Sequence, residues 1–223
     1  DRFLGSLNLN AAVTVVGSSD ALICYKHAKY GYATQSSVFT CLKALSDNTI
    51  SKKDHDATRI NLGIIYNNKS KPRMALEQFE IAYNNENIRA ETLLNQGNSL
   101  LLLKDYNGAL EKYQASLENN LDDISAIYFN KGMAHEYLGN IQIAVDFYEK
   151  AVALNPALID YFENKRRRLK EAGLWDDVED ALEDDEEESE DGEESGDSED
   201  SDDSDGDSSD KKKGKKDKKE DPT

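Results

Sequence analysis

"RINLGIIYNNKSKPRMALEQFEIAY" fills residues 59–83 and reads as two short amphipathic helices joined by a turn. The stretch holds no paired carboxylates, no His–Cys cluster and no phosphate loop. What it does hold is a pattern that recurs. Gly63 reappears as Gly97 and Gly132, Ala75 as Ala109 and Ala144, Phe79 as Tyr113 and Tyr148, and Ala82 as Ser116 and Ala151, at steps of 34 and then 35 residues. Small residues at the Gly and Ala positions let two helices approach closely. The aromatic position is expected to fill the gap between one hairpin and the next. Leu154-Asn155-Pro156 closes the third unit, because Pro156 cannot continue a helix.

Four markers aligned across three units resemble the tetratricopeptide repeat family, a helix–turn–helix repeat of about 34 residues. The likeness covers about residues 56–158. Two positions depart from the pattern. The early aromatic of the first helix is met only by Tyr128, with Arg59 and Leu93 in the other units. The Leu before Gly63 becomes Gln96 and Lys131. The expected fold class is all-α, an α-solenoid of such hairpins. The expected organisation is an unassigned segment 1–19, a degenerate hairpin 20–55 and repeats at 56–89, 90–124 and 125–158. A capping helix at 157–175 and an acidic tail at 176–223 follow.

The resemblance implies that the first helix of each hairpin lines a concave groove. On that register Ile60, Leu94 and Phe129 form an apolar row with Ile64 and Met133, while Asn61, Asn95, Asn130 and Asn98 form an amide row. Asn offers both a donor and an acceptor, so it can pair with any peptide main chain. Some members of the resembled family hold extended peptides on asparagine rows. These residues are therefore expected to bind an extended or helical protein segment with apolar anchors. The competing reading is that another part of the same chain, or a further repeat, covers them. A carboxylate clamp of the kind that binds chaperone C-termini is not expected. Leu94, Asp160 and Asn164 stand where cations would be needed, and Lys165 to Arg168 lie out of phase.

The charge is concentrated at one end. The chain carries −18 overall, but residues 176–210 contribute −22 and residues 211–223 contribute +4, which leaves residues 1–175 neutral. "EDDEEESEDGEESGDSEDSDDSDGDSSD" has almost nothing apolar to bury and is expected to be disordered. Its field attracts basic proteins and repels nucleic acid. A chaperone or carrier of basic proteins acting through the tail is thus the alternative to an adaptor acting through the groove. Ser195, Ser198, Ser201 and Ser204 are spaced by three, and Asp207 follows Ser204 at the same spacing. An acid-directed kinase could begin at Ser204 and proceed backwards, each phosphate acting as the acid for the serine before it. "KKKGKKDKK" reads either as a nuclear-import signal or as a partner for the acids.

At the other end, "AAVTVV" (11–16) reads either as the end of a helix or as a stray strand. Residues 20–47 read as two helices. One has a stripe of Leu22, Tyr25, Ala28 and Tyr32, the other a stripe of Val38, Leu42 and Leu45. Cys41 and Leu45 stand at the small and aromatic repeat positions. With no secretory signal in view, Cys24 and Cys41 are expected to be buried, reduced thiols of a cytoplasmic or nuclear protein. The first residue is Asp, which suggests a piece of a longer array. No stretch reaches the roughly 18 apolar residues of a membrane span. His27, His55 and His135 are scattered, and no nucleophile, metal or cofactor motif appears. The expectation is a non-enzymatic protein-binding scaffold without a cofactor.

Overall fold

The computed structural model describes residues 9–16 and 18–175. Among them are nine α-helices: α1 (Ser19–Lys29), α2 (Gln35–Leu45), α3 (Lys52–Asn68), α4 (Pro72–Ala82), α5 (Arg89–Leu102), α6 (Tyr106–Glu118), α7 (Ser125–Tyr137), α8 (Ile141–Leu154) and α9 (Ile159–Glu171). No strand occurs among the described residues. Consecutive helices pair as hairpins α1–α2, α3–α4, α5–α6 and α7–α8, each stacked on the next, with α9 against α8. The all-α solenoid expected from the repeat spacing is the observed architecture.

Local chemistry sets the ends of the helices. Thr34 and Ser37 form a reciprocal capping box at α2, Ser51 caps α3 and Asp105 caps α6. Pro72 begins α4, where its missing N–H costs nothing. Each repeat turns through one left-handed residue at the same place: Ser70, Lys104 and Gly139, with φ of 55°, 65° and 81°. Only the third is glycine, so the first two turns carry a mild strain that hairpin packing holds in place.

The glycines show how each hairpin closes. Gly63, Gly97 and Gly132 lie directly beneath the rings of Phe79, Tyr113 and Tyr148. A methyl group placed on Gly132 would stand 2.6 Å from Tyr148 Cε1, and the other two sites are tighter. This corrects the expected role of the aromatic position. The ring fills the space inside its own hairpin, over its own glycine, rather than the gap between hairpins. Tyr148 also packs on Phe129 of its own hairpin at 4.8 Å and reaches outward to Phe162 at 6.1 Å between ring centroids. Phe162 and Leu169, with Leu158 just ahead of the helix, bury one side of α9 against the last hairpin, and its charged side faces water. That is what a terminal cap must do.

The first hairpin departs from expectation in two ways. Its buried residues are Ala21, Cys24 and Ala28 on α1, with Ser37, Val38, Cys41 and Ala44 on α2. Leu22, Tyr32 and Leu42 are exposed instead. Small residues won over large ones because the two helices pack tightly here, with Cα atoms of Cys24 and Cys41 only 5.0 Å apart. The two cysteines form a disulfide, not free thiols. The argument from reduced cysteines to a reducing compartment therefore does not hold. Cys24 and Cys41 lie 34 residues before Thr58 and Ala75, the small pair at the crossing of the next hairpin. The bond thus ties a hairpin that has no aromatic–glycine pair, Lys29 and Leu45 standing at those positions. It closes a loop of 17 residues, worth about 3 kcal/mol on loop-entropy grounds. Reduction should lower the melting temperature by about 6–12 °C. A Cys24→Ala/Cys41→Ala variant should melt low and ignore reductant. An unchanged melt of the parent chain in reductant would contradict this.

Candidate functional site

Residues 9–16 lie along the inner face built by α3, α5 and α7, and they are neither helix nor strand. Every second side chain packs on this face, and exposure alternates fully from Val13 to Val16. Leu9 packs into the Phe129–Met133 cluster, Ala11 into the Leu94–Tyr113 cluster, Val13 beside Ile60 and Ile64, and Val15 against Ala57 and Ala44. Val16 and Thr14 point to water. A period of two is that of an extended chain. The segment runs opposite to the repeat order, from α7 at Leu9 back to α3 at Val16.

The asparagine row holds its main chain. Val13 N donates to Asn61 Oδ1 at 3.0 Å, and Asn61 Nδ2 donates to Val13 O at 2.8 Å. Ala11 N and O make the same reciprocal pair with Asn95, at 3.2 and 3.0 Å. Each amide thus replaces one rung of a β-ladder. The pattern changes at the third repeat. Asn98 Nδ2 donates to Leu9 O at 3.1 Å and to Asn10 Oδ1 at 2.9 Å, while Asn130 reaches Leu9 O only at 3.4 Å. Two extended residues advance about 6.7 Å, whereas packed helices stand roughly 8–10 Å apart. A rung every two residues therefore falls out of step with the repeats. At the far end Val16 N donates to Asp54 Oδ1 at 3.0 Å.

A buried frame fixes these amides. Tyr113 Oη and Asn130 Nδ2 both donate to Asn98 Oδ1, at 3.0 and 2.8 Å, which turns both Asn98 N–H groups toward the segment. Burial pushes the Tyr113 hydroxyl well above its ordinary range, so it remains a donor. Between repeats Ser99 Oγ donates to Asn67 Oδ1, and Asn67 Nδ2 donates to Asn95 O. Behind α7, Glu136 accepts from Tyr148 Oη and from Lys165 Nζ, the latter at 2.9 Å. Lys165 is committed to that ion pair and Arg166 to Glu163.

All nine residues placed in the groove by the repeat register gather on this face: Ile60, Asn61, Ile64, Leu94, Asn95, Asn98, Phe129, Asn130 and Met133. What covers them is the chain itself, the competing reading of the sequence. Asp54, Asn67 and Ser99 were missed. So was the segment, although Leu9, Ala11, Val13 and Val15 alternate in plain view. Ser195, Ser198, Ser201 and Ser204, and the whole tail from 176, lie outside the described residues. Among the described residues no group of His, Cys, Asp or Glu could hold a metal ion, and no helix is long and apolar enough to cross a membrane.

The family model for the tetratricopeptide repeat matches residues 81–157. The helical hairpins of residues 81–157 thus match the tetratricopeptide repeat. Among solved structures, the crystal structure of MamA is similar over 75% of this chain and 97% of that one, with 20% identity and a TM-score of 0.51. That likeness concerns the fold. A comparison with curated proteins finds no match in sequence. Tetratricopeptide repeats stack into binding surfaces for other proteins, and in that general sense the chain is an interaction scaffold. Such a fold is ordinarily non-catalytic.

Proposed function

We propose that this helical-repeat protein is an adaptor that holds an extended segment of another protein in its inner groove, within a multiprotein assembly. One observation carries the reading: Asn61 and Asn95 make reciprocal main-chain pairs with a chain already lying there. Such pairs ignore side-chain identity, so a different extended segment of suitable shape can take the same place. Residues 9–16 then act as an internal occupant that a partner must displace.

A three-way capture from cell extract tests this. The chain is compared with a Val13→Asp/Val15→Asp variant, whose charged side chains cannot stay among Ile60, Ala44 and Ala57. The third member adds Asn61→Leu/Asn95→Leu to that variant. Partners of the groove should rise several-fold in the second and vanish in the third, at high salt as at low. Equal recovery from all three would reject the groove. A set of basic proteins captured equally by all three and lost in high salt would favour the tail as the binding element.

A further inference from the structure

The segment underfills the groove at one place. Beside Ala11 and Ala12 a cleft of about 440 Å³ remains open between α1, α5 and the loop before α7. Its apolar wall is Leu94, Leu121 and Ala126, and Glu91, Asp122 and Asp123 bring three carboxylates to it. Lys29 also borders it, its amine over the Tyr25 ring, and sets one positive charge against three negative ones. The charges do not balance, and the cleft keeps a net negative character.

We propose that the groove prefers a partner segment with the direction and register of residues 9–16 and a Lys or Arg in place of Ala11. This rests on the groove reading above. The seated chain provides the frame. Asn95 grips the main chain on both sides of the Ala11 Cα, and the methyl group packs toward Leu94. Ala11 itself lines the cleft beside Leu94, so a longer side chain at that position has room to extend into it. A long methylene stem would lie along Leu94, Leu121 and Ala126, and a cationic head would then meet the carboxylates. An alanine uses none of this. Burial pushes the Glu91 carboxyl above its ordinary range, and the Asp122 charge pushes the same way, so a cation arriving there relieves a repulsion already present. Asp123 is oriented by Ser125, whose N and Oγ both donate to its Oδ1. Neighbouring positions demand little: an apolar residue at 9 and β-branched residues at 13 and 15, as now.

Two measurements on the full chain test the assignment. First, Ala11→Arg should raise the melting temperature and the exchange protection of the segment, Ala11→Glu should lower both, and Ala11→Met should fall between them. Second, fluorescent peptides LNRAVTVV, LNAAVTVV and LNEAVTVV are titrated into the Val13→Asp/Val15→Asp variant. The Arg peptide should bind about tenfold tighter than the Ala peptide and tighter still than the Glu peptide. Adding Glu91→Gln/Asp122→Asn, or high salt, should erase that advantage. Equal binding by all three peptides would overturn the basic preference and leave the groove intact. Binding by none would overturn the groove reading as well.

Discussion

Gly97→Ala is expected to destabilise the protein by about 2–3 kcal/mol, although alanine is the better helix former. In an open helix the change would gain about 1 kcal/mol. Here the new methyl group would meet the Tyr113 ring well inside van der Waals contact. Tyr113 is fully buried and its hydroxyl is tied to Asn98 Oδ1, so the ring cannot swing aside without breaking that bond. An approach this close lies at or beyond the upper end of overpacking costs, about 3–4 kcal/mol, and the gain in propensity leaves about 2–3 kcal/mol of net loss. The melting temperature should fall by about 4–12 °C. The effect should also reach the groove, because Asn98 loses the partner that aims it at Leu9. Adding Tyr113→Leu to Gly97→Ala should recover part of the loss, since a smaller side chain vacates the space. A Gly97→Ala chain as stable as its parent would show that the hairpin is looser than its close contacts imply.

The same contact explains why the fold was legible in the sequence. A repeating Gly63/Phe79, Gly97/Tyr113, Gly132/Tyr148 pair, always 16 residues apart, records a helix crossing that tolerates no Cβ. That constraint is local and recurs, so it survives as a period. The inner face was legible for a related reason. Asn61, Asn95 and Asn130 occupy one register, and helical geometry puts one register on one side. The occupant was not legible. Its pairing with Asn95 spans 84 residues of sequence and with Asn61 spans 48, and no periodicity links a strand-like run to a helix face so far away. The disulfide escaped for another reason. Cys24 and Cys41 were seen on apolar faces, but only the close crossing of α1 and α2 brings their Cα atoms within bridging distance. In the same hairpin Leu22 and Leu42 looked like core by hydrophobicity, yet alanines and cysteines are the residues thin enough for that crossing.

Asn61→Leu/Asn95→Leu is expected to release residues 9–16 while α3 to α8 stay folded. Leucine keeps much of the volume of asparagine and removes both hydrogen-bonding groups. The seated segment would then hold the N–H and C=O of Ala11 and Val13 against hydrocarbon, unpaired. The detached segment pairs the same groups with water. Four bonds at about 1 kcal/mol each shift the balance by about 4 kcal/mol, or nearly three powers of ten in the seated-to-free ratio. What remains is burial of Leu9, Val13 and Val15, with Ala11 adding little. The amides of Ala11 and Val13 should lose that much exchange protection and approach the rates of an unstructured peptide, while amides at the centres of α3, α5 and α7 keep theirs. Retained protection at both amides would mean that side-chain burial alone seats the segment and that the asparagine row is incidental. Loss across the helices as well would mean that the segment is part of the core rather than its occupant, and a groove that cannot be emptied cannot be offered to a partner.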